Sequence, residues 1–134
     1  ERGNGVIKDY KTAVKFYRIS AEQGFAPAQY NLGMMYDKGL GVLKSFKTAL
    51  KWLKLSAEQG NASAQHNLGS MYGNGDGVIK DNIYAHMWWN ISASNGEKSA
   101  ITNRDKVEKK MTPTDISAAQ KLARECVEKK YKGC

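Results

Sequence analysis

An internal repeat with a period of 36 residues constrains the fold of this chain more than any other feature of its sequence. The segment AQYNLGMMYDKGLGV, residues 28–42, returns as AQHNLGSMYGNGDGV, residues 64–78. Aligned without a gap, residues 25–60 and 61–96 are identical at 17 of 36 positions. A unit this short cannot bury its own apolar face, so consecutive units are expected to stack into one array.

Each unit has the pattern of two helices joined by a glycine-containing turn. Ala28, Leu32 and Tyr36 recur at helical spacing, and Ala49 and Leu53 continue with a second helical face after the glycines. Three equivalent residues precede the second helices and carry oxygens that can cap them, namely Asp9, Ser45 and Asp81. Three equivalent glycines end them, namely Gly24, Gly60 and Gly96. The chain is therefore predicted to be all-α, built from antiparallel helix pairs.

Small residues are predicted to carry the packing between these helices. Gly33 lies inside a predicted helix, where glycine is about 1 kcal/mol less favourable than alanine. It recurs as Gly69, so we expect a larger side chain at either position to clash with an adjacent helix. Tyr36 and Trp52 are expected to fill the space between pairs.

The repeat also divides the single predicted domain. Residues 1–24 form a partial repeat, and residues 25–60 and 61–96 form complete repeats. Residues 97–134 form a degenerate repeat in which the glycine loop is absent. There, a Thr-Pro pair at 112–113 has the pattern of a helix N-cap followed by proline at the first helical position. We expect this last segment to be a C-terminal capping helix pair.

The eight residues MYGNGDGV, 71–78, admit three interpretations. Glycine amides can surround a phosphate, Asn and Asp oxygens can bind calcium, and glycines can form a hinge. The middle copy of the repeat keeps both glycines and the valine but has Lys38 and Leu40 where the later copy has Asn74 and Asp76. Because the oxygen ligands do not recur and the glycines do, we favour a hinge.

The pattern A-x-x-x-L-G-x-M-Y-x-x-G-x-G-V, followed by A-x-x-W and A-x-Q-G, resembles the Sel1-like repeat, a relative of the tetratricopeptide repeat. The resemblance covers residues 1–96 and implies a right-handed superhelix of helix pairs with a concave groove. The ending AQKLARECVEKKYKGC is similar to the C-termini of exported bacterial Sel1-like proteins.

Two cysteines, Cys126 and Cys134, leave two alternatives open: a disulfide between the last helix and the tail, or two free thiols. The resemblance to exported proteins favours the disulfide, and a disulfide requires an oxidising compartment. We therefore expect a periplasmic or secreted bacterial protein, with a cytoplasmic location as the alternative. The chain begins inside the repeat with ERGNGV, so we also expect it to be a fragment.

Charge and motifs argue against several function classes. The net charge of +8 is spread evenly, since residues 1–96 carry 11 Lys/Arg and 7 Asp/Glu and residues 97–134 carry 10 and 6. We therefore expect a solvated basic surface and no specific nucleic-acid site.

No apolar run is long enough to span a membrane. Neither S-x-x-K nor G-x-S-x-G occurs in the sequence. His66 and His86 are expected to be partly exposed, and neither a cofactor nor a metal is expected.

The remaining candidate site is the groove, which the resemblance places on the first helix of each pair. The residues not committed to packing are the predicted partner-binding set: Tyr30, Asn31, Met34, Lys38, His66, Asn67, Ser70, Asn74, Thr102 and Lys106. Such side chains suit an extended peptide or a helix. We therefore expect a non-catalytic protein-interaction scaffold with an unidentified protein or peptide partner. The alternative is a cell-envelope hydrolase or a protein that binds peptidoglycan or β-lactams.

Overall fold

A computed structural model describes residues 9–134, which form seven α-helices and no strand. The helices are α1 (Tyr10–Glu22), α2 (Ala26–Lys38), α3 (Phe46–Ala57), α4 (Ala62–Asn74), α5 (Asn82–Ser94), α6 (Lys98–Glu108) and α7 (Pro113–Glu128). Helices α2 and α3 form one closely packed pair and α4 and α5 the next, while α1 packs on α2 and α3 on α4. The all-α solenoid predicted from the repeat is confirmed.

The predicted helix ends are also confirmed. The Asp9 carboxylate and the Ser45 hydroxyl accept hydrogen bonds from the backbone amides of Thr12 and Thr48. The Asp81 carboxylate accepts two such bonds at the start of α5. The three equivalent glycines after the second helices have φ values of +96°, +91° and +103°, in chain order Gly24, Gly60 and Gly96. The last helix is capped by the Thr112 hydroxyl.

The stretch MYGNGDGV forms a turn between α4 and α5. Gly75 ends α4 in the left-handed conformation, and its backbone amide donates to the Met71 carbonyl. Gly77 also has a positive φ, and an added Cβ would lie 2.9 Å from the Cβ of Phe46. Both glycines are therefore required by the backbone, as the hinge interpretation predicts. The first copy of this loop, from Gly3 to Val6, lies outside the described residues.

Glycine inside the first helices allows close helix packing. A Cβ at Gly33 would lie 2.8 Å from Cγ of Leu53, and one at Gly69 would lie 2.5 Å from the Trp89 ring. Both contacts are shorter than side chains tolerate, so the predicted clash is confirmed. The second helix of each pair takes the space that the missing side chain leaves.

A buried polar network repeats along the array. The Gln29 amide donates to the Ala21 carbonyl, and the Ser56 hydroxyl donates to the Ala26 carbonyl. One repeat later, Gln65 and Ser92 make the same two bonds to the equivalent carbonyls. Each of these polar side chains is buried and has a partner, which stabilises one stacking geometry.

The end of the array differs from the repeats before it. Helices α6 and α7 do cap the solenoid, but both pack mainly on α5 rather than on each other. As a result, α5 is enclosed by α4, α6 and α7. His86 of α5 is 1% exposed, and its Nε2 lies 2.7 Å from Oε2 of Glu108. The expectation that His86 is partly exposed is wrong, because α6 and α7 cover the helix that carries it.

The tail after α7 folds back onto the array. Cys126 and Cys134 form a disulfide, and the Tyr131 hydroxyl is 3.2 Å from the side-chain nitrogen of Asn95. The disulfide alternative is therefore the one present in this structure. None of the helices in residues 9–134 combines the length and the apolar character that crossing a membrane requires.

Candidate functional site

Three clefts repeat along the face formed by the first helices of the pairs. Cleft 1 lies between α1 and α2, cleft 2 between α2 and α4, and cleft 3 between α4 and α6. Their free volumes are about 320, 150 and 180 Å³. Five positions, each spaced by 36 residues, line all three: Tyr17/Leu53/Trp89, Asn31/Asn67/Asn103, Met34/Ser70/Lys106, Met35/Met71/Val107 and Lys38/Asn74/Lys110.

Seven of the ten predicted partner-binding residues line these clefts. Cleft 1 contains three of them, Asn31, Met34 and Lys38. Met34 also lines cleft 2, where it is joined by Asn67, Ser70 and Asn74. Asn74 and Lys106 lie in cleft 3. The structure therefore brings these residues into a continuous series, although their role in binding a partner remains a prediction.

The other three predicted residues occupy one equivalent position and do not line a cleft. Tyr30 packs against the apolar core, and Thr102 is exposed on α6. His66 is half-buried, with Nδ1 3.1 Å from Oδ1 of Asn67 and Nε2 2.8 Å from Nδ2 of Asn103. The physical reason is helical geometry, since one residue along a helix turns the side chain by about 100°. His66 therefore orients the cleft asparagines instead of lining a cleft itself.

The asparagine position connects each first helix to the one before it. The Asn67 amide nitrogen donates to the Met34 sulfur, which joins α4 to α2. The Asn103 amide lies against the His66 ring, which joins α6 to α4. Asn103 is absent from the predicted set. Its spacing of 36 residues from Asn67 is the signal that identifies it, even though the surrounding repeat is degenerate.

The wall of each cleft comes from the second helix. Leu53 lines cleft 2, and Trp89 lines cleft 3 while remaining only 8% exposed. The Trp89 indole nitrogen donates to the His66 carbonyl at 3.1 Å, which fixes the ring. Cleft 3 therefore has a rigid aromatic wall where cleft 2 has an aliphatic one.

One acidic group of cleft 1 is held in its charged form. Hydrogen bonds from the Thr12 hydroxyl and then from the Thr12 backbone amide lower the pKa of Asp9. Asp9 is therefore a carboxylate at neutral pH, engaged in capping α1. Within residues 9–134, no three His, Cys, Asp or Glu side chains are grouped as a metal site would require.

Comparison with known proteins gives a consistent result. Residues 1–25, 26–61 and 62–97 each match the family model described as Sel1 repeat. These boundaries lie one residue later than the predicted 24, 60 and 96, and the matches cover more than half of the chain. No curated protein matches the sequence.

Several solved structures are similar to the chain, among them two bacterial repeat proteins. One is c5321, described as a protective antigen present in uropathogenic Escherichia coli strains and displaying an SLR fold. It is 32% identical over 92% of this chain, with a TM-score of 0.88. The other is a Sel1 repeat protein from Oxalobacter formigenes, 35% identical over 72% of this chain, with a TM-score of 0.69. This chain spans only 28% and 39% of the lengths of those two chains.

Proposed function

Because this chain belongs to the Sel1 repeat family, we propose that it is a non-catalytic scaffold that binds a protein or peptide along the concave face of its solenoid. Sel1 repeats commonly mediate protein–protein interaction. The observation that carries the proposal is the threefold recurrence of one cleft along the first-helix face. A series of equivalent clefts suits a partner that is itself extended along the array.

The mode of binding follows from the groups in the clefts. Each contains an asparagine amide, and two of them also contain methionine sulfur atoms. An amide can bond to the backbone of an extended peptide, and methionine can adapt to different apolar side chains. The asparagines of clefts 2 and 3, Asn67 and Asn103, are already held by Met34 and His66, so binding there requires little ordering of the site.

Site-specific photocrosslinking in the native cells tests this proposal. A photoreactive phenylalanine analogue replaces Ser70 in cleft 2 or, as the matched control, Lys54 on the exposed side of α3. We expect a protein to be crosslinked from position 70 and not from position 54. Both variants should keep the helical circular dichroism of the parent, because neither side chain is buried.

Crosslinking, together with an assay of the purified chain, also identifies the alternatives. Crosslinking of one protein from position 54 alone would move the binding surface away from the clefts. Recovery of peptidoglycan fragments, or measurable β-lactam hydrolysis by the purified chain, would favour the cell-envelope alternative. Neither result is expected from a scaffold that contributes a preformed surface and no reacting group.

We also propose that the protein works in the periplasm or outside the cell. The support is the Cys126–Cys134 disulfide, since disulfides persist in oxidising compartments. Two free thiols in protein isolated under alkylating conditions would instead favour the cytoplasm.

A further inference from the structure

The three clefts share an architecture but differ in charge. Cleft 3 is lined by Lys80, Lys106 and Lys110 and by no acidic residue. Cleft 2 is lined by Asp37 and Asp76 and by no basic residue. Cleft 1 contains one residue of each sign, Asp9 and Lys38. Positive charge and negative charge therefore lie side by side on the first-helix face.

The three lysines come from two different parts of the chain. Lys80 follows the glycine loop before α5, whereas Lys106 and Lys110 lie in and after α6. Within residues 9–134, none of the three side chains takes part in an ion pair. The ion pair there between a basic and an acidic side chain is Arg104–Asp105, and Glu108 lies within hydrogen-bond distance of His86. Three lysines in one cleft create a positive electrostatic potential, which favours binding of an anionic group of a partner.

The neighbouring cleft indicates which kind of anion fits. A nucleic-acid backbone carries a phosphate at every step, so it would place negative charge beside Asp37 and Asp76 as well. A peptide can instead present an acidic group to one cleft and a basic side chain to the next. The free volume of cleft 3 is about 180 Å³, below the roughly 300 Å³ at which small-molecule sites begin. Cleft 3 therefore suits a single side chain or a chain terminus.

We propose that cleft 3 binds a carboxylate of the partner peptide while cleft 2 binds a basic side chain of the same peptide. This inference rests on the proposed scaffold function and specifies its partner. The lysine ammonium groups bind the carboxylate, and the Trp89 ring contacts the methylene groups that carry it. In cleft 2, the carboxylates of Asp37 and Asp76 bind the cation.

The repeat also sets the spacing of the two charges. Clefts 2 and 3 lie on the two sides of α4, a helix measures about 10 Å across with its side chains, and an extended peptide advances about 3.3 Å per residue. The basic and acidic groups of the peptide are therefore expected about three positions apart. The carboxylate belongs either to an Asp or Glu side chain or to the C-terminus of the partner, because both present the same chemistry.

A positional-scanning peptide library tests the inference. The library is synthesised with free and with amidated C-termini, and binding to the full chain is measured by fluorescence anisotropy at low salt. Binding should be strongest for pools that combine a basic and an acidic position about three residues apart. Loss of binding on amidation would assign the carboxylate to the C-terminus, and unchanged binding would assign it to Asp or Glu.

Variants of the two clefts make the test specific. The triple variant Lys80→Gln, Lys106→Gln, Lys110→Gln should lose at least tenfold in affinity for the selected peptides and lose the acidic preference. The variant Asp37→Asn, Asp76→Asn should lose only the basic preference. The matched control, Lys47→Gln, Lys54→Gln, Lys121→Gln, changes the net charge equally at exposed positions outside the clefts and should bind as the parent does.

The outcomes separate two kinds of failure. If no pool binds, the proposal that this face binds a peptide is wrong, and the charge assignment is wrong with it. If peptides bind without a charge preference, or bind the cleft 3 variant and the control equally, the scaffold proposal stands and the charge assignment is overturned. Melting temperatures and circular dichroism of each variant show that any loss of binding is not a loss of folding.

Discussion

Helices α3 and α5 occupy equivalent places in consecutive repeats, yet they are enclosed to different degrees. The faces that pack against the pair partner are alike, since the equivalent residues Trp52 and Trp88 are both buried there. Their outer faces differ at three equivalent positions: Thr48/Tyr84, Lys51/Met87 and Leu55/Ile91. In α3, Lys51 and Leu55 of this set are exposed, whereas in α5 Met87 and Ile91 are buried.

The difference arises from α7, which packs on α5 and has no counterpart on α3. Leu122, Ala123 and Cys126 of α7 join the same apolar core as Met87 and Ile91. The repeat therefore determines which residues face the pair, and the surrounding helices determine what the outer face must be. A helix that is apolar on all sides is one that other helices enclose.

The largest effect is expected from exchanging the two outer faces. Met87→Lys places a charge at a position that is 1% exposed, which should destabilise the fold by about 3–5 kcal/mol because the ammonium group loses its hydration there. The reciprocal change, Lys51→Met, removes a cation that lies 5.0 Å from the Trp52 ring and should cost less than about 1 kcal/mol. Urea denaturation measures both, and equal effects would contradict the comparison.

The enclosure of α5 was accessible from the sequence, but it was not predicted. The run YAHMWWNIS has apolar residues on every side of the helix, whereas the equivalent TALKWLKLS has lysines on one side. The period of 36 predicted the helices, the caps and the stacking, because these depend on local chemistry and on the repeat. The position of α7 depends on long-range packing of a degenerate segment, and for this reason the burial of His86 was missed.

A smaller effect is expected from opening the disulfide that holds the tail beside α5. Cys134→Ser leaves Cys126 as a buried thiol and should lower the free energy of unfolding by roughly 2–3 kcal/mol, as expected for so short a closed loop. Amide hydrogen exchange should accelerate in α5 and α7 and remain unchanged in α3. Reduction of the parent protein should reproduce both results; a uniform acceleration over all helices would show that α7 does not cover α5 specifically.

Substituting the glycines inside the first helices should destabilise the two helix pairs to different extents, and this effect should be smaller still. In Gly69→Ala the new methyl group meets the Trp89 ring, which its hydrogen bond to the His66 carbonyl holds in place. We expect a loss of about 2 kcal/mol. In Gly33→Ala the methyl group meets the buried Leu53 chain, which no hydrogen bond holds, and the higher helix propensity of alanine offsets part of the clash, so the loss should be no more than about 1 kcal/mol. Equal melting temperatures for the two variants would exclude a difference in rigidity between the two cleft walls.

The clefts were predicted less completely than the helices, again for a physical reason. Helical spacing identified residues such as Asn67 and Ser70, because the exposed face of a repeated helix can be read from its period. The sequence itself shows basic residues spread evenly along the chain, so no basic site was predicted. Lys80 and Lys106 are 26 positions apart in the sequence, and only the stacking of α6 beside α4 brings them into one cleft.

The smallest effect is expected where the two repeats agree. The Ser56 hydroxyl donates to the Ala26 carbonyl at 2.7 Å, and the Ser92 hydroxyl donates to the Ala62 carbonyl at the same distance. Replacing either serine with alanine leaves a buried carbonyl without that partner and should cost about 1 kcal/mol. Because both serines are fully buried, the two losses should be equal despite the different outer faces of α3 and α5. A larger loss for Ser92→Ala, measured by urea denaturation, would show that enclosure by α7 also strengthens the contacts inside the pair.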